Sequence, residues 1–295
     1  MRANSLLIIA AVCLSAVLAA GAPASACPGE GACRVDEGDY YLVLPETGAI
    51  ARAPPVVMFL HGYGGRGDRD IADGGLAKPF LARGYAVIVP QGLPRGDGSP
   101  TNWAVRDGWQ YRRDDVAFIG SVLDDAAARF GLDRGRVLLT GFSRGGSMVW
   151  DVACSAPGTA AAYAPVAGGF WRPHPASCAG PVRLFHIHGF TDATVPLEGR
   201  PVAGGALVQG DIYEGLQLWR ETNQCGTRAG EQVARTGGDA GADGPYWRKT
   251  WTDCAEGALS FVLHPGGHGL PAGWSDMILD WFETLPAAAG PSPSN

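Results

Sequence analysis

The apolar positions of the chain fall into short, nearly continuous runs at residues 40–44, 56–60, 85–89, 137–140, 182–187 and 259–263. Runs of that length without polar alternation predict strands of a sheet covered on both faces. Between two of them, residues 114–130 set Val116, Ile119, Val122, Leu123, Ala126, Ala127 and Phe130 at helical spacing, with acidic residues at the start and Gly131 just beyond the end. That spacing predicts a crossover helix. A final helix is predicted over residues 275–282. Strands alternating with helices predict an α/β fold, a mostly parallel sheet with helices on both faces. Residues 199–210 and 226–244 are rich in glycine and read as loops on a substrate-facing rim.

The chain has 295 residues and a formal net charge of -6, enough to bury a full core in one catalytic-size domain, expected over residues 27–285. It lacks clusters of Lys or Arg, which argues against nucleic acid or an anionic membrane as partner. At the N-terminus, Arg2, an apolar run over residues 6–20 and Ala24-Ser25-Ala26 have the layout of a signal peptide over residues 1–26, cleaved near Ala26. The run is too short for a membrane anchor. Ala24 stands three before Cys27, where lipidation calls for a Leu-like residue, so cleavage without lipidation is expected. Cys27, Cys33, Cys154, Cys178, Cys225 and Cys254 then form an even set with no C-x-x-C, which in an exported chain favours disulfides. Several connectivities are open; pairing of sequence neighbours is the expectation. Residues 286–295, rich in Pro, Ala, Gly and Ser, read as a disordered tail.

The strongest chemical signal is Gly141-Phe142-Ser143-Arg144-Gly145-Gly146, between the run at 137–140 and a helical segment. A nucleophile at a sharp strand-to-helix turn needs small residues two before and two after it, and Gly141 and Gly145 fill those places. A serine hydroxyl attacks only when an imidazole takes its proton and a carboxylate orients that imidazole. Asp192 follows the run at 182–187, and His268 lies in the glycine loop after the run at 259–263, so Ser143, Asp192 and His268 occur in the chain order this fold uses. His264, at a strand end before Pro265, is the rival base and reads as structural. The loop His61-Gly62-Tyr63-Gly64-Gly65 offers amides to an oxyanion. The donors expected are the backbone N–H groups of Tyr63, with Gly64 as the alternative, and of Arg144. His186 and His188 alternate on one strand but lack a third ligand at metal spacing. His188 is expected to hold the loop of Asp192, and neither a metal nor a cofactor is called for. Gly62-x-Gly64-x-x-Gly67 matches a dinucleotide fingerprint, but the next strand ends Val89-Pro90-Gln91 with no ribose-holding acid. Arg66-Gly67-Asp68 reads as solvated loop, and His61 and His174 as structural and surface residues.

With these motifs the chain resembles the extracellular α/β-hydrolase esterases grouped with polyhydroxybutyrate depolymerases and with bacterial feruloyl and acetylxylan esterases. The resemblance covers most of residues 55–282. It rests on Leu60-His61-Gly62-Tyr63-Gly64, on 114–119, on Gly141-x-Ser143-x-Gly145-Gly146-x-Met148, on 164–168, on His188-Gly189-x-x-Asp192-x-x-Val195-Pro196, and on Gly267-His268. It implies hydrolysis of a carboxylic ester through an acyl-Ser143 intermediate. Cysteines beside the nucleophile helix fit the group's disulfides. Arg144 departs from the small or amide residue expected there, and is read either as a cation near the acyl pocket or as a surface salt bridge. Trp103 and Trp109 are expected to border the acyl pocket. A serine peptidase of the same fold would bring a cap or propeller, and a non-catalytic binding protein would have lost a member of the triad.

Overall fold

The computed structural model describes residues 27–28, 31–46, 53–72, 75–234 and 245–286. The expected signal segment and all but the first residue of the expected tail lie outside them.

A hairpin of β1 (Cys33–Val35) and β2 (Gly38–Val43) opens the fold, followed by β3 (Val56–Leu60), two short helices α1 (Gly67–Ala72) and α2 (Lys78–Ala82), and β4 (Ala86–Pro90). A small ladder of β5 (Leu93–Pro94) and β6 (Thr101–Asn102) leads to α3 (Asp115–Phe130), β7 (Val137–Phe142), α4 (Arg144–Ser155), β8 (Ala162–Val166) and β9 (Arg183–Gly189). The ladder β10 (Pro201–Val202) with β11 (Leu207–Val208) precedes α5 (Ile212–Thr222). The chain ends in β12 (Ala229–Ala234), β13 (Tyr246–Trp251), β14 (Ala258–His264) and α6 (Trp274–Thr284).

Ten strands form one sheet in the order β1-β2-β4-β3-β7-β8-β9-β14-β13-β12. The six from β4 to β14 run parallel, and antiparallel strands finish both edges. Side chains alternate across the sheet and feed two cores. Val56, Met58 and Leu60 join Phe118 and Val122 of α3, Met148 and Val152 of α4, and Leu216 and Trp219 of α5. Val57 and Phe59 join Phe80 of α2 and Ile278 and Phe282 of α6. With both faces buried, the strands have no polar face to show, which accounts for the continuous apolar runs. Helix α3 starts where Asp114 accepts the Val116 and Ala117 amides and stops at Gly131 in the left-handed region.

Three disulfides join Cys27 to Cys33, Cys154 to Cys178 and Cys225 to Cys254, the neighbour pairing. No helix among the described residues is long and apolar enough to cross a membrane.

The structure departs from the sequence expectation at two rims. Residues 199–210 carry the β10–β11 ladder, with Leu207 buried in the core. Residues 229–234 are not loop but the edge strand β12, paired antiparallel with β13 over six residues. The remainder of that stretch, 235–244, lies outside the described residues.

Candidate active site

Gly141 ends the straight part of β7, and after Phe142 the chain turns at Ser143 with φ 57° and ψ -118°. A non-glycine residue there is strained, and such strain persists only where neighbours enforce it. They do so here: the Ser143 amide donates to Val166 O at 2.9 Å, and its carbonyl accepts from the Ser147 amide at 2.9 Å. The flanking glycines have no room for a side chain. A Cβ on Gly141 would meet the Gly145 carbonyl carbon at 2.8 Å, and one on Gly145 would run into the Leu60 carbonyl oxygen.

The hydroxyl of Ser143 lies 2.8 Å from His268 Nε2, and His268 Nδ1 lies 2.7 Å from Asp192 Oδ2. The three side chains proposed from separate motifs, 76 and 125 residues apart along the chain, thus form one hydrogen-bonded row. Phe142 packs on the imidazole with ring centroids 4.8 Å apart. The loops that carry the acid and the base are stitched together, since the Phe190 amide donates to His264 O at 2.8 Å and the Thr191 amide to Gly266 O at 3.1 Å.

Asp192 is buried, and its other oxygen accepts the Thr194 and Val195 amides at 2.8 Å each. Burial alone would raise its carboxyl, but the His268 hydrogen bond, the Val195 amide and the imidazoles of His268 and His188 bring it below the ordinary range. An ionised Asp192 holds the proton on His268 Nδ1 and leaves Nε2 as acceptor for the serine. His188 holds this loop as expected, with Nε2 at 2.8 Å from Val195 O and 3.6 Å from Asp192 Oδ2. His186 Nε2 sits 3.0 Å from His188 Nδ1, and Trp150 Nε1 donates to His186 Nδ1 at 3.3 Å, so this pair is hydrogen-bonded internally. His264 is buried at the end of β14 and accepts the Gly266 amide on Nδ1 at 3.2 Å, a structural position.

The first glycine loop is built around His61, which is buried, with Nδ1 2.8 Å from Gly62 O and Nε2 accepting the Gly92 amide at 2.9 Å. Burial lowers its pKa to about 4, so the ring is neutral at working pH. The β6 segment braces the loop from outside: Thr101 Oγ1 donates to Gly65 O at 2.6 Å, and Trp103 Nε1 to His61 O at 2.8 Å. Of the two amides considered for the oxyanion, that of Gly64 donates to Thr101 O at 2.9 Å and is therefore committed. That leaves the amide of Tyr63, a residue 59 % exposed, as the candidate donor of this loop.

Three expectations need correction. Trp103 is 0 % exposed and cannot border an acyl pocket; its ring lies behind the loop, where its indole N–H is used. Arg144 forms no surface salt bridge. Its guanidinium is buried and donates to Asp107 Oδ2 at 2.6 Å, to Asn102 Oδ1 at 2.8 Å and to the Tyr111 hydroxyl, and it lies 4.5 Å from the centre of the Trp171 ring. This cluster fixes residues 102–111 to the first turn of α4. Its other members, Asn102, Asp107 and Tyr111, carry no motif. His174 is half-buried rather than on the surface. Trp109 is 40 % exposed, with Arg95 stacked 3.4 Å from its ring centre.

No family model matches the chain. It is 26% identical over 250 residues to feruloyl esterase C of Emericella nidulans, covering 81% of this chain and 80% of that protein. It is 28% identical over 242 residues to the putative esterase NocK of Nocardia uniformis, covering 78% and 69%. Among solved structures, the acetyl xylan esterase from Aspergillus awamori superposes with a TM-score of 0.60 at 18% identity, over 83% of this chain and 93% of that one. A Bacillus cereus carboxylesterase follows with 0.53 at 14%, over the same shares. These likenesses give the fold as that of the α/β-hydrolases, and with the sequence relatives they define the chain as a carboxylic ester hydrolase. Within that class, relatives at 26% identity bear the names feruloyl esterase C and probable feruloyl esterase C.

Proposed function

We propose that the chain is an exported serine esterase that cleaves feruloyl or acetyl esters through an acyl-Ser143 intermediate. The observation that carries this reading is the row Ser143–His268–Asp192, with contacts of 2.8 and 2.7 Å, at the head of a strained strand-to-helix turn. His268 Nε2 takes the hydroxyl proton as Ser143 Oγ attacks the ester carbonyl. The amides of Tyr63 and Arg144 donate to the oxyanion as the tetrahedral intermediate forms. His268 then gives the proton to the departing alcohol oxygen, leaving the acyl-enzyme. A water deprotonated by His268 attacks next, and the acid leaves as Ser143 regains its proton. Asp192 stays ionised throughout and stabilises the imidazolium in both halves. The acyl group is inferred from relatives named feruloyl esterase and from a structural neighbour named acetyl xylan esterase. Export is inferred from the N-terminal apolar run and from six cysteines that are all bridged.

The test is hydrolysis of nitrophenyl acetate and of methyl ferulate by purified protein beside Ser143→Ala. The variant is expected to lose several orders of magnitude in kcat with its circular dichroism unchanged. Equal rates in the two proteins would remove Ser143 from the chemistry.

A further inference from the structure

A second concavity lies away from the serine, between helix α5 and strand β13. It has a volume of about 710 Å³, within the range of ligand sites, and neither the triad nor the oxyanion loop lines it. One wall is Tyr213, Gln217 and Arg220, one helical turn apart or nearly so; the other is Trp247, Lys249 and Trp251, alternate residues on one face of the strand. Two features separate it from an ordinary surface crease. Tyr213 and Trp247 are 49 % and 45 % exposed, two of the five exposed large apolar residues among the described residues, and they face one another across it. Its charged lining residues are Arg220, Arg248 and Lys249 with no carboxylate, in a chain of net charge -6 whose only lysines are Lys78 and Lys249.

Chemistry divides the groove along its length. The open rings of Tyr213 and Trp247 stand at its upper end, beside Leu263 near the end of β14. At the lower end, Trp251 lies between two cations, with Lys249 Nζ 5.5 Å and the Arg220 guanidinium carbon 5.8 Å from its ring centre. Arg220 Nε is buried with no hydrogen-bond partner among the described residues. Flat open rings take the flat apolar faces of pyranose units, and cations set one to two units further along take carboxylates. We propose that this groove binds a stretch of uronic-acid-bearing polysaccharide. The loop after β14 carries His268, so a chain held here runs along the flank of the site and keeps the polymer beside the serine. This deepens the esterase reading by naming the polymer, yet the binding itself does not depend on that reading.

Affinity electrophoresis of the intact protein in gels containing polygalacturonate, which carries no ester, tests the binding alone. Retardation is expected with polygalacturonate and not with neutral amylose, and is expected to weaken about tenfold in Trp247→Ala and in Arg220→Gln. Tyr213→Ala, on a separate element, repeats the aromatic test if Trp247→Ala fails to fold. Hydrolysis of nitrophenyl acetate should be the same in all these variants, which keeps failure of the groove distinct from failure of the serine. No retardation of the wild type, equal retardation by amylose, or retardation undiminished in both aromatic variants would overturn the proposal.

Discussion

Arg144 offers the sharpest test of how the strained turn at Ser143 is supported. Replacing it with alanine keeps the backbone amide but removes the guanidinium from Asp107, Asn102, Tyr111 and the Trp171 face. Asp107, with its side chain 0 % exposed, would then keep only the Trp109 amide at 2.9 Å and the Tyr111 hydroxyl at 2.7 Å. Breaking a buried pair by removing one member leaves an uncompensated charge and costs about 3–5 kcal/mol, against about 0–1 kcal/mol for an exposed pair. Urea unfolding of wild type and Arg144→Ala should therefore differ by the larger figure. Adding Asp107→Asn to the variant removes the stranded charge and should recover about 1–3 kcal/mol of it. A loss below about 1 kcal/mol, or no recovery in the double variant, would refute the view that the cluster is a desolvated anchor for the turn.

Two further outcomes follow from the site and its surroundings. Asp192→Asn should lower kcat toward nitrophenyl acetate by about 10⁴-fold with little change in KM, because the imidazole loses its orienting anion; a loss under tenfold would exclude that role. Acid stability depends on two buried groups of opposite sign. His61 titrates at about 4 instead of 6.5, so between those values the unfolded chain binds the proton and stability falls as pH falls. Asp151, raised to about 6 by burial, binds a proton in the folded state first and stabilises the fold as pH drops from 6 toward 3.8. Asp151→Asn should therefore lose stability faster than wild type between pH 6 and 4, by roughly 1 kcal/mol per pH unit in urea titrations; parallel curves would contradict the assignment.

The hydrogen-bonded row of Ser143, His268 and Asp192 was legible because its constraints are local. A turn that forbids side chains writes Gly141 and Gly145 beside the serine, and the fold's chain order then selects Asp192 and His268. The central strands were legible from burial on both faces. Strand β8 was not recognised as a strand: its run Ala162–Val166 contains two alanines and a proline, so only its position between β7 and β9 reveals it. Helix α5 was overlooked between two glycine-rich stretches, although Asp211 caps it and Ile212, Leu216 and Trp219 recur at helical spacing. The Arg144 cluster left no pattern, because its partners Asn102 and Asp107 lie 42 and 37 residues away and meet only in three dimensions. Trp103 was misplaced for a related reason: its indole N–H is satisfied by His61 O, and sequence does not show that the ring faces inward.

The three disulfides span 6, 24 and 29 residues, and none crosses the parallel strands that carry the serine, the acid and the base. Cross-links of so short a reach act as rivets along the hull and leave the keel to packing alone. A reductant would thus loosen the molecule from its margins inward: the end of α4, the junction of α5 with β13 and the first hairpin would slacken while the central strands still hold their register. Ageing in a reducing medium should be graded, with the outlying parts exposed to proteases before the hydrolytic centre goes silent.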